Sequence, residues 1–448
     1  MKTLGALALI SISAVFALNA QDKKPKQVNA TDANHHQIIQ KAGLISIKHG
    51  KDSASRYLES QRILESEKRI RMRYKNHQHG SAAEVTELDL SYRQLTALPD
   101  FIFKYKNLKR LNLSQNRISR LPGRLKKLKN LEYINLSGNR LDTTVLKSPR
   151  LKNLKNLDLS WNDLAELPQW IKKFKRITAL DVGSNGFTCI PKRIKKLKSL
   201  KTLRIHLSDL TDFGKNFKYA RRLKSLREIS AHHAGIRKIP DEISMLPNLE
   251  HLTLSANRIE YFSSHIGKLN KLKGLDLHGS ALATLPDELF FCTNLVSLDL
   301  QQNKLKRLPE GISRLRKISA LYLAHNELEY LPEEIGDMDL EAIYLYNNKL
   351  TSLPESFKNL SQLRYIRFDN NYISEFPAQL LGLENLTYID FTNTDITVLP
   401  EEIVNVKSLE LLAFKEVQID PSNPLNDNYE TLIRTLHDRG VALFPPRN

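Results

Sequence analysis

The length of 448 residues allows two or three globular domains or one long repeat array, and the ordinary apolar content of 41% allows a sizeable core. A formal net charge of +19 points to an anionic partner or surface and says nothing about fold. With only two cysteines, Cys189 and Cys292, a disulfide scaffold is excluded.

The first segment, residues 1–20, reads as an export signal. Lys2 precedes an apolar run from Leu4 to Leu18, the length of a signal core and too short to span a bilayer well. Small Ala20 marks the expected cut before Gln21-Asp22-Lys23-Lys24. No cysteine near the cut offers a lipid attachment point, and no later run is long and apolar enough to cross a membrane. The expected location is therefore the periplasm or the exterior. Residues 21–84 form an N-terminal region that is partly disordered; Ser53 to Asn76, with a thin stripe of Tyr57, Leu64 and Ile70, reads as a helical cap.

From Leu88 onward a pair of alternating aliphatics recurs at a fixed step. Leu88/Leu90, Leu111/Leu113, Ile134/Leu136, Leu157/Leu159, Leu180/Val182 and Leu203/Ile205 are each 23 residues apart. The step to Ile229 is 26, the step from Leu321 to Ile343 is 22, and the rest are 23 through Leu412/Phe414. This gives fifteen repeats, numbered here in order, across residues 85–421. Alternation puts both aliphatics on one face of a short strand. One unit cannot bury that face alone, whereas stacked units form a continuous core, each buried aliphatic contributing roughly 1.5–3 kcal/mol of transfer free energy.

Five residues after the first aliphatic stands an asparagine, as at Asn116, Asn139, Asn162, Asn185, Asn257, Asn303, Asn326, Asn348 and Asn371. Turned inward, an amide satisfies backbone groups freed where the strand ends. Arg93, Ala234 and Val417 occupy that position in the first, seventh and last repeats, which predicts local irregularity there. Six residues further on, proline occupies eleven repeats and opens a turn on the outer side.

Each unit thus reads L-x-x-L-x-L-x-x-N-x-L-x-x-L-P-x-x-I-x-x-L. It resembles the leucine-rich-repeat family in the 23-residue LPxxI form, which occurs in bacterial proteins and in intracellular Ras-pathway scaffolds. The resemblance spans roughly three quarters of the chain. It implies an α/β horseshoe solenoid, with a parallel β-sheet on the concave face and short turns or helical turns on the convex face. It also implies a protein-interaction role. Residues 422–448 close the array as a C-terminal cap: Tyr429, Leu432, Ile433 and Leu436 have helical spacing within Asp427 to Arg439, Gly440 stops the helix, and Val441-Ala442-Leu443-Phe444 follows.

Chemistry is sparse. Cys292 takes a core Leu position and Cys189 lies beside a Leu-Pro turn, four repeats away, so neither is expected to react. His206, His232 and His278 share one strand position and form a potential metal or pH-sensitive row without ligand spacing. Between the paired aliphatics runs a row beginning Asp89, Asn112, Asn135, Asp158, Asp181 and reaching Asp276, Asp299 and Asp390. On an open row no pocket is expected to set one carboxyl pKa apart from another. No catalytic, cofactor or metal residue is therefore assigned.

Two binding surfaces are expected. In repeats 11–14, Tyr322, Tyr344, Tyr346, Tyr365 and Tyr388 converge on the concave face with Arg364, Arg367 and Asp369. Tyr and Arg supply rigid area with a polar tip, which suits a contact patch for a protein partner. In repeats 1–6, Lys106, Lys129, Lys152, Lys175 and Lys198 share one position before the strand, and Lys126, Lys172, Lys195 and Lys218 share another. Leu88 to Arg227 carries 33 basic and 10 acidic residues; Glu228 to Asn448 carries 21 and 31. The function expected is an exported, non-enzymatic protein-binding module. The alternative is adhesion of the basic flank to an anionic envelope or glycan surface. Specific nucleic-acid binding is not expected, because aromatics do not interleave the lysines.

Overall fold

The computed structural model describes residues 82–141, 151–414 and 429–444, all within the compact unit His79–Asn448. The expected export signal, the N-terminal helical cap and Val417 lie outside the described residues.

Three-residue strands stack into one parallel sheet of 16, in register aliphatic to aliphatic, as Leu88↔Leu111 and Ile343↔Ile366 illustrate. Both aliphatics of each pair point into the core: Leu111, Leu113, Leu321 and Leu323 are wholly buried. On the opposite side of the core each proline is followed by a single 3-10 turn, as at Pro99, Pro122, Pro309 and Pro400. In repeat 8 Ser263 replaces the proline. It has an N–H, which donates to the Ile239 carbonyl and allows Tyr261–Phe262 to pair with Lys238–Ile239 as a small outer sheet. Its hydroxyl also accepts from the His265 N–H, capping the turn. The three extra residues of the 26-residue step are absorbed on this outer side, where a short α-helix, Phe217–Ala220, stands in place of the 3-10 turn.

The asparagines turn inward and lace neighbouring repeats together. Asn139 donates to the carbonyls of Leu113, Leu136 and Ser137 at 3.0, 3.0 and 3.3 Å, and its oxygen accepts the Ile118 N–H at 2.9 Å. Asn326 repeats this with Leu300, Leu323, Ala324 and Leu305. The residue before each asparagine is held at positive φ, between 52° and 56° at Gln115, Trp161, Ser184, His325, Asn347 and Asn370. Asparagine and glycine tolerate that conformation best, and Gly138 and Gly279 occupy it in repeats 3 and 9.

The irregularity expected at Arg93 and Ala234 does not reach the sheet. The strand of repeat 7, Glu228–Ser230, pairs in register on both sides. The asparagine of the following repeat takes the surplus donor: Asn257 accepts both Ala234 N–H at 2.9 Å and Ile236 N–H at 3.0 Å. Asn116 does the same for Arg93 and Leu95.

At the C-terminus the helix runs Tyr429–Asp438 and buries Leu432, Ile433 and Leu436. Gly440, at φ 81°, turns the chain so that Ala442–Phe444 adds a sixteenth strand, Leu412↔Leu443 in register. The cap is thus one more turn of the stack, with an α-helix replacing the 3-10 turn.

Candidate partner-binding face

Alternation that buries the aliphatics sends the intervening residues to the open face of the sheet, where side chains 23 residues apart become neighbours. In repeats 11–14 they form one connected network. The rings of Tyr322 and Tyr344 stack at 5.1 Å and 3°. Arg367 is next in that row and Asp390 after it. The Arg367 guanidinium lies 4.5 Å over the Tyr346 ring and donates two 3.2 Å bonds to Asp369. It is also 3.2 Å from the Asp390 carboxylate, which accepts from the Tyr388 hydroxyl at 3.3 Å. Tyr346 reaches back to Gln301 at 3.4 Å and meets His325 edge-on at 5.2 Å.

This network divides into floor and rim. Tyr322, Tyr344 and Tyr388 are only 3%, 8% and 7% exposed, because their own neighbours cover them, and Asp369 is buried as well. Burial pushes the Tyr344 and Tyr388 hydroxyls above their ordinary range. Tyr346, Tyr365 and Arg367 are half-buried and Arg364 is exposed at the strand entrance. These four, with exposed His325, are what a partner would touch first. Sequence alternation identified the face. It could not distinguish floor from rim, because coverage comes from residues a whole repeat away.

The carboxylate row behaves differently from expectation. Burial, followed by repulsion from neighbouring Asp158, pushes Asp181 up to about 7. In the adjacent row, two residues beyond Arg367, burial and repulsion from Asp390 push Asp369 up to about 6, against the pull of Arg367. Burial alone would weaken the Arg367 charge, but Asp369 and Asp390 outweigh it and hold the guanidinium more firmly protonated. No pocket is needed to set these groups apart; crowding on the sheet face desolvates them.

The histidine row is interrupted. His206 and His232 stack face to face at 4.7 Å and 3°, with His206 lying over Gly183, where an added Cβ would sit 2.6 Å from the ring. Burial, then the neighbouring His206 and His233, lowers His232 to about 4, and burial with Arg204 lowers His206. His278 is two repeats further on, 4.0 Å from Asp299. Among the described residues no three His, Cys, Asp or Glu side chains gather to hold a metal. Cys292 is buried, donates to the Ile266 carbonyl, and is pushed up to about 12 by burial, which leaves it a poor nucleophile.

On the flank of repeats 1–6, Lys106, Lys129, Lys152, Lys175 and Lys198 are all exposed, and among the described residues none of the five enters an ion pair. Beneath them runs a second side-chain ladder that sequence reasoning missed. Asn130 donates to the Lys106 carbonyl at 3.2 Å and Asn153 to that of Lys129 at 3.0 Å, fixing the lysine backbones in a column. Its signal was the asparagine that follows Lys106, Lys129 and Lys152 at each 23-residue step. Lys195 also approaches the Tyr219 ring at 4.6 Å, with Lys192 and Lys218 at 5.7 and 5.6 Å.

Family models described as leucine rich repeat match residues 83–141 and 270–328, and a second such model matches 153–174 and 339–360. The described chain is a leucine-rich-repeat solenoid. A solved leucine-rich-repeat protein of Leptospira interrogans is similar at 29% identity and a TM-score of 0.66, covering 79% of this chain and 95% of its own. An internalin of Listeria monocytogenes shares 18% identity with a TM-score of 0.49 over 70% of this chain and 88% of its own. The leucine-rich-repeat ectodomain of an Arabidopsis thaliana receptor kinase shares 24% identity with a TM-score of 0.42, over 73% and 47% respectively. No curated protein matches the chain in sequence. Among the described residues no helix is long and apolar enough to cross a membrane.

Proposed function

We propose that this protein is an exported, non-enzymatic binding module that captures a protein partner on the open sheet face of repeats 11–14. Solenoids of this kind use their extended inner surface for binding. The observation that carries the reading is Arg367: its guanidinium is locked by Asp369, Asp390 and the Tyr346 ring, yet its side chain stays 31% exposed. A rigid cation framed by half-exposed Tyr346 and Tyr365 loses little conformational freedom on binding. Affinity capture from the native envelope and medium, followed by crosslinking mass spectrometry, tests it. Tyr346→Ala with Tyr365→Ala should lose the partner while leaving the fold intact by circular dichroism. Undiminished recovery would remove this face from consideration. Export is checked by fractionation of cells producing the full chain, and cytoplasmic retention would overturn that part.

A second reading is favoured by the lysine column, whose five ammonium groups stand exposed and, among the described residues, without carboxylate partners, with the Lys106 and Lys129 backbones laced by asparagines. In that reading the flank adheres to an anionic envelope or glycan surface. Binding to isolated envelopes should then fall steeply as salt rises, since exposed charges are screened. Binding unchanged at high salt would reject it.

A further inference from the structure

The positive-φ position before each ladder asparagine suits small or polar residues, and most repeats comply: Gln115, Gly138, Ser184, Ala256 and Gln302 among them. Trp161 does not. It holds φ at 54° with an indole left 57% exposed. A bulky side chain in this backbone region is uncommon, and the fold gains nothing from burying it. In the same column, two positions beyond Gly138, Tyr92 is 68% exposed at φ 57°. Two aromatics thus stand at the ends of a four-repeat stretch, spaced about 14 Å apart at the usual 4.8 Å per strand.

From Gln94 in the first of these repeats to Trp161 in the fourth the surface is hollow. Gly138 has no side chain to cover the near face of Trp161, and a Cβ placed there would come 2.4 Å from the Gln115 amide nitrogen. The result is an open groove of about 400 Å³ lined by Gln94, Gln115, Arg117, Gly138, Arg140 and Trp161. Arg117 and Arg140 fill the same position in adjacent repeats, and both are exposed. Their backbone N–H groups bond to the Leu95 and Ile118 carbonyls, but among the described residues neither guanidinium enters an ion pair or hydrogen bond. The two guanidiniums therefore stand side by side with their donors unspent, within a half of the array that carries 33 basic and 10 acidic residues.

We infer that this groove binds an acidic peptide segment of a partner protein in extended conformation. Its carboxylates pair with Arg117 and Arg140, an apolar side chain packs on Trp161, and the Gln94 and Gln115 amides supply a donor and an acceptor to the peptide backbone. Paired guanidiniums match carboxylates bidentately, and an indole supplies apolar area at low entropic cost. A span of about 14 Å accommodates roughly four extended residues. The site lies on the loop edge of repeats 1–4, separate from the Tyr/Arg face, so the two stand or fall independently.

The chain contains two tryptophans, and Trp170 is only 2% exposed, so a change in emission reports on Trp161. The full chain is titrated with a short peptide of alternating Glu and Phe. A saturable emission shift is expected, with binding weakened about tenfold or more for the Gln-for-Glu peptide and for Arg117→Gln with Arg140→Gln. Both arginines are exposed, so that variant tests the site without threatening the fold. Labelled-peptide anisotropy should show the same loss in Trp161→Ala, whereas Tyr346→Ala with Tyr365→Ala should bind the peptide normally. Equal binding of the Gln peptide, or by the double-arginine variant, overturns the proposal. So does loss of binding in the Tyr346/Tyr365 variant, which places the peptide on the sheet face. A response to oligogalacturonate but not to the peptide also overturns it, in favour of an acidic glycan.

Discussion

Repeats 1–6 and repeats 11–14 share a backbone and differ in what they do with charge. In the later group Arg367 is matched by Asp369 and Asp390, and tyrosines roof over one another until three are nearly sealed. In the earlier group the lysine column, Arg117 and Arg140 stand without carboxylate partners among the described residues, over the same aliphatic core and the same asparagine ladder. The repeat fixes where each side chain goes and leaves its chemistry free. One stretch has used that freedom to satisfy itself and present a rigid face. The other pairs some of its cations, as in Lys155–Glu132, and leaves the five-lysine column exposed and outside ion pairs among the described residues.

The comparison is broken most decisively at the backbone. If the two stretches share one framework, Asn139→Ala and Asn326→Ala should be equally damaging. Each removes three donated bonds and one accepted bond from buried backbone groups. The expected loss is about 3 kcal/mol or more in each case, read by denaturant unfolding with native-state hydrogen exchange. Markedly unequal losses would mean the two frameworks are not equivalent.

The next test contrasts the charges themselves. Arg367→Ala leaves Asp369 and Asp390 adjacent and without their cation, with an expected cost of about 2 kcal/mol. Lys129→Ala, on the exposed column, should change stability by about 0.5 kcal/mol or less, in either direction. Thermal unfolding at neutral pH measures both, and a costly lysine would show that the basic flank is structural.

The finest distinction is in pH dependence. Asp181 titrates near 7 and Asp369 near 6 in the folded chain against an ordinary 3.8, so the folded state holds extra protons between about pH 4 and 7. Their contribution to stability therefore declines as pH rises through that window. His232, lowered to about 4 from 6.5, works the other way, because below 6.5 the unfolded chain takes up the proton first. Asp181→Asn should make stability rise more steeply from pH 4 to 6.5, and His232→Gln should make it fall. Parallel curves for both variants and the parent would show that this face is too well hydrated to shift either group.

Much of this architecture was legible in the sequence. The 23-residue step fixed the register, Asn139 and its counterparts predicted the ladder, and the eleven prolines marked the turns. The sixteenth strand was hidden because Leu443 lies 31 residues after Leu412, with a helix in between, and so fell outside the period. The regularity of repeat 7 was hidden because its compensation resides in Asn257, one repeat away. The candidate face was only half legible. Alternation placed Tyr344 and Arg367 on the same surface, but whether a side chain there is floor or rim depends on neighbours a full repeat away. The raised pKa of Asp181 has the same origin: only stacking buries it and brings Asp158 beside it. The Trp161 groove depends on a glycine one repeat earlier, which no local pattern reveals.

The asparagine ladder also has a direction. Asn139 serves the Leu113 carbonyl 26 residues behind it and the Ile118 N–H 21 behind it, and Asn326 reaches back likewise to Leu300 and Leu305. A nascent chain leaving the ribosome therefore completes each coil only after the following one has emerged, and maturation trails synthesis by one turn. Trimming from the front removes a coil that lends no amide backward, whereas trimming from the back strips a finished coil of its fastening.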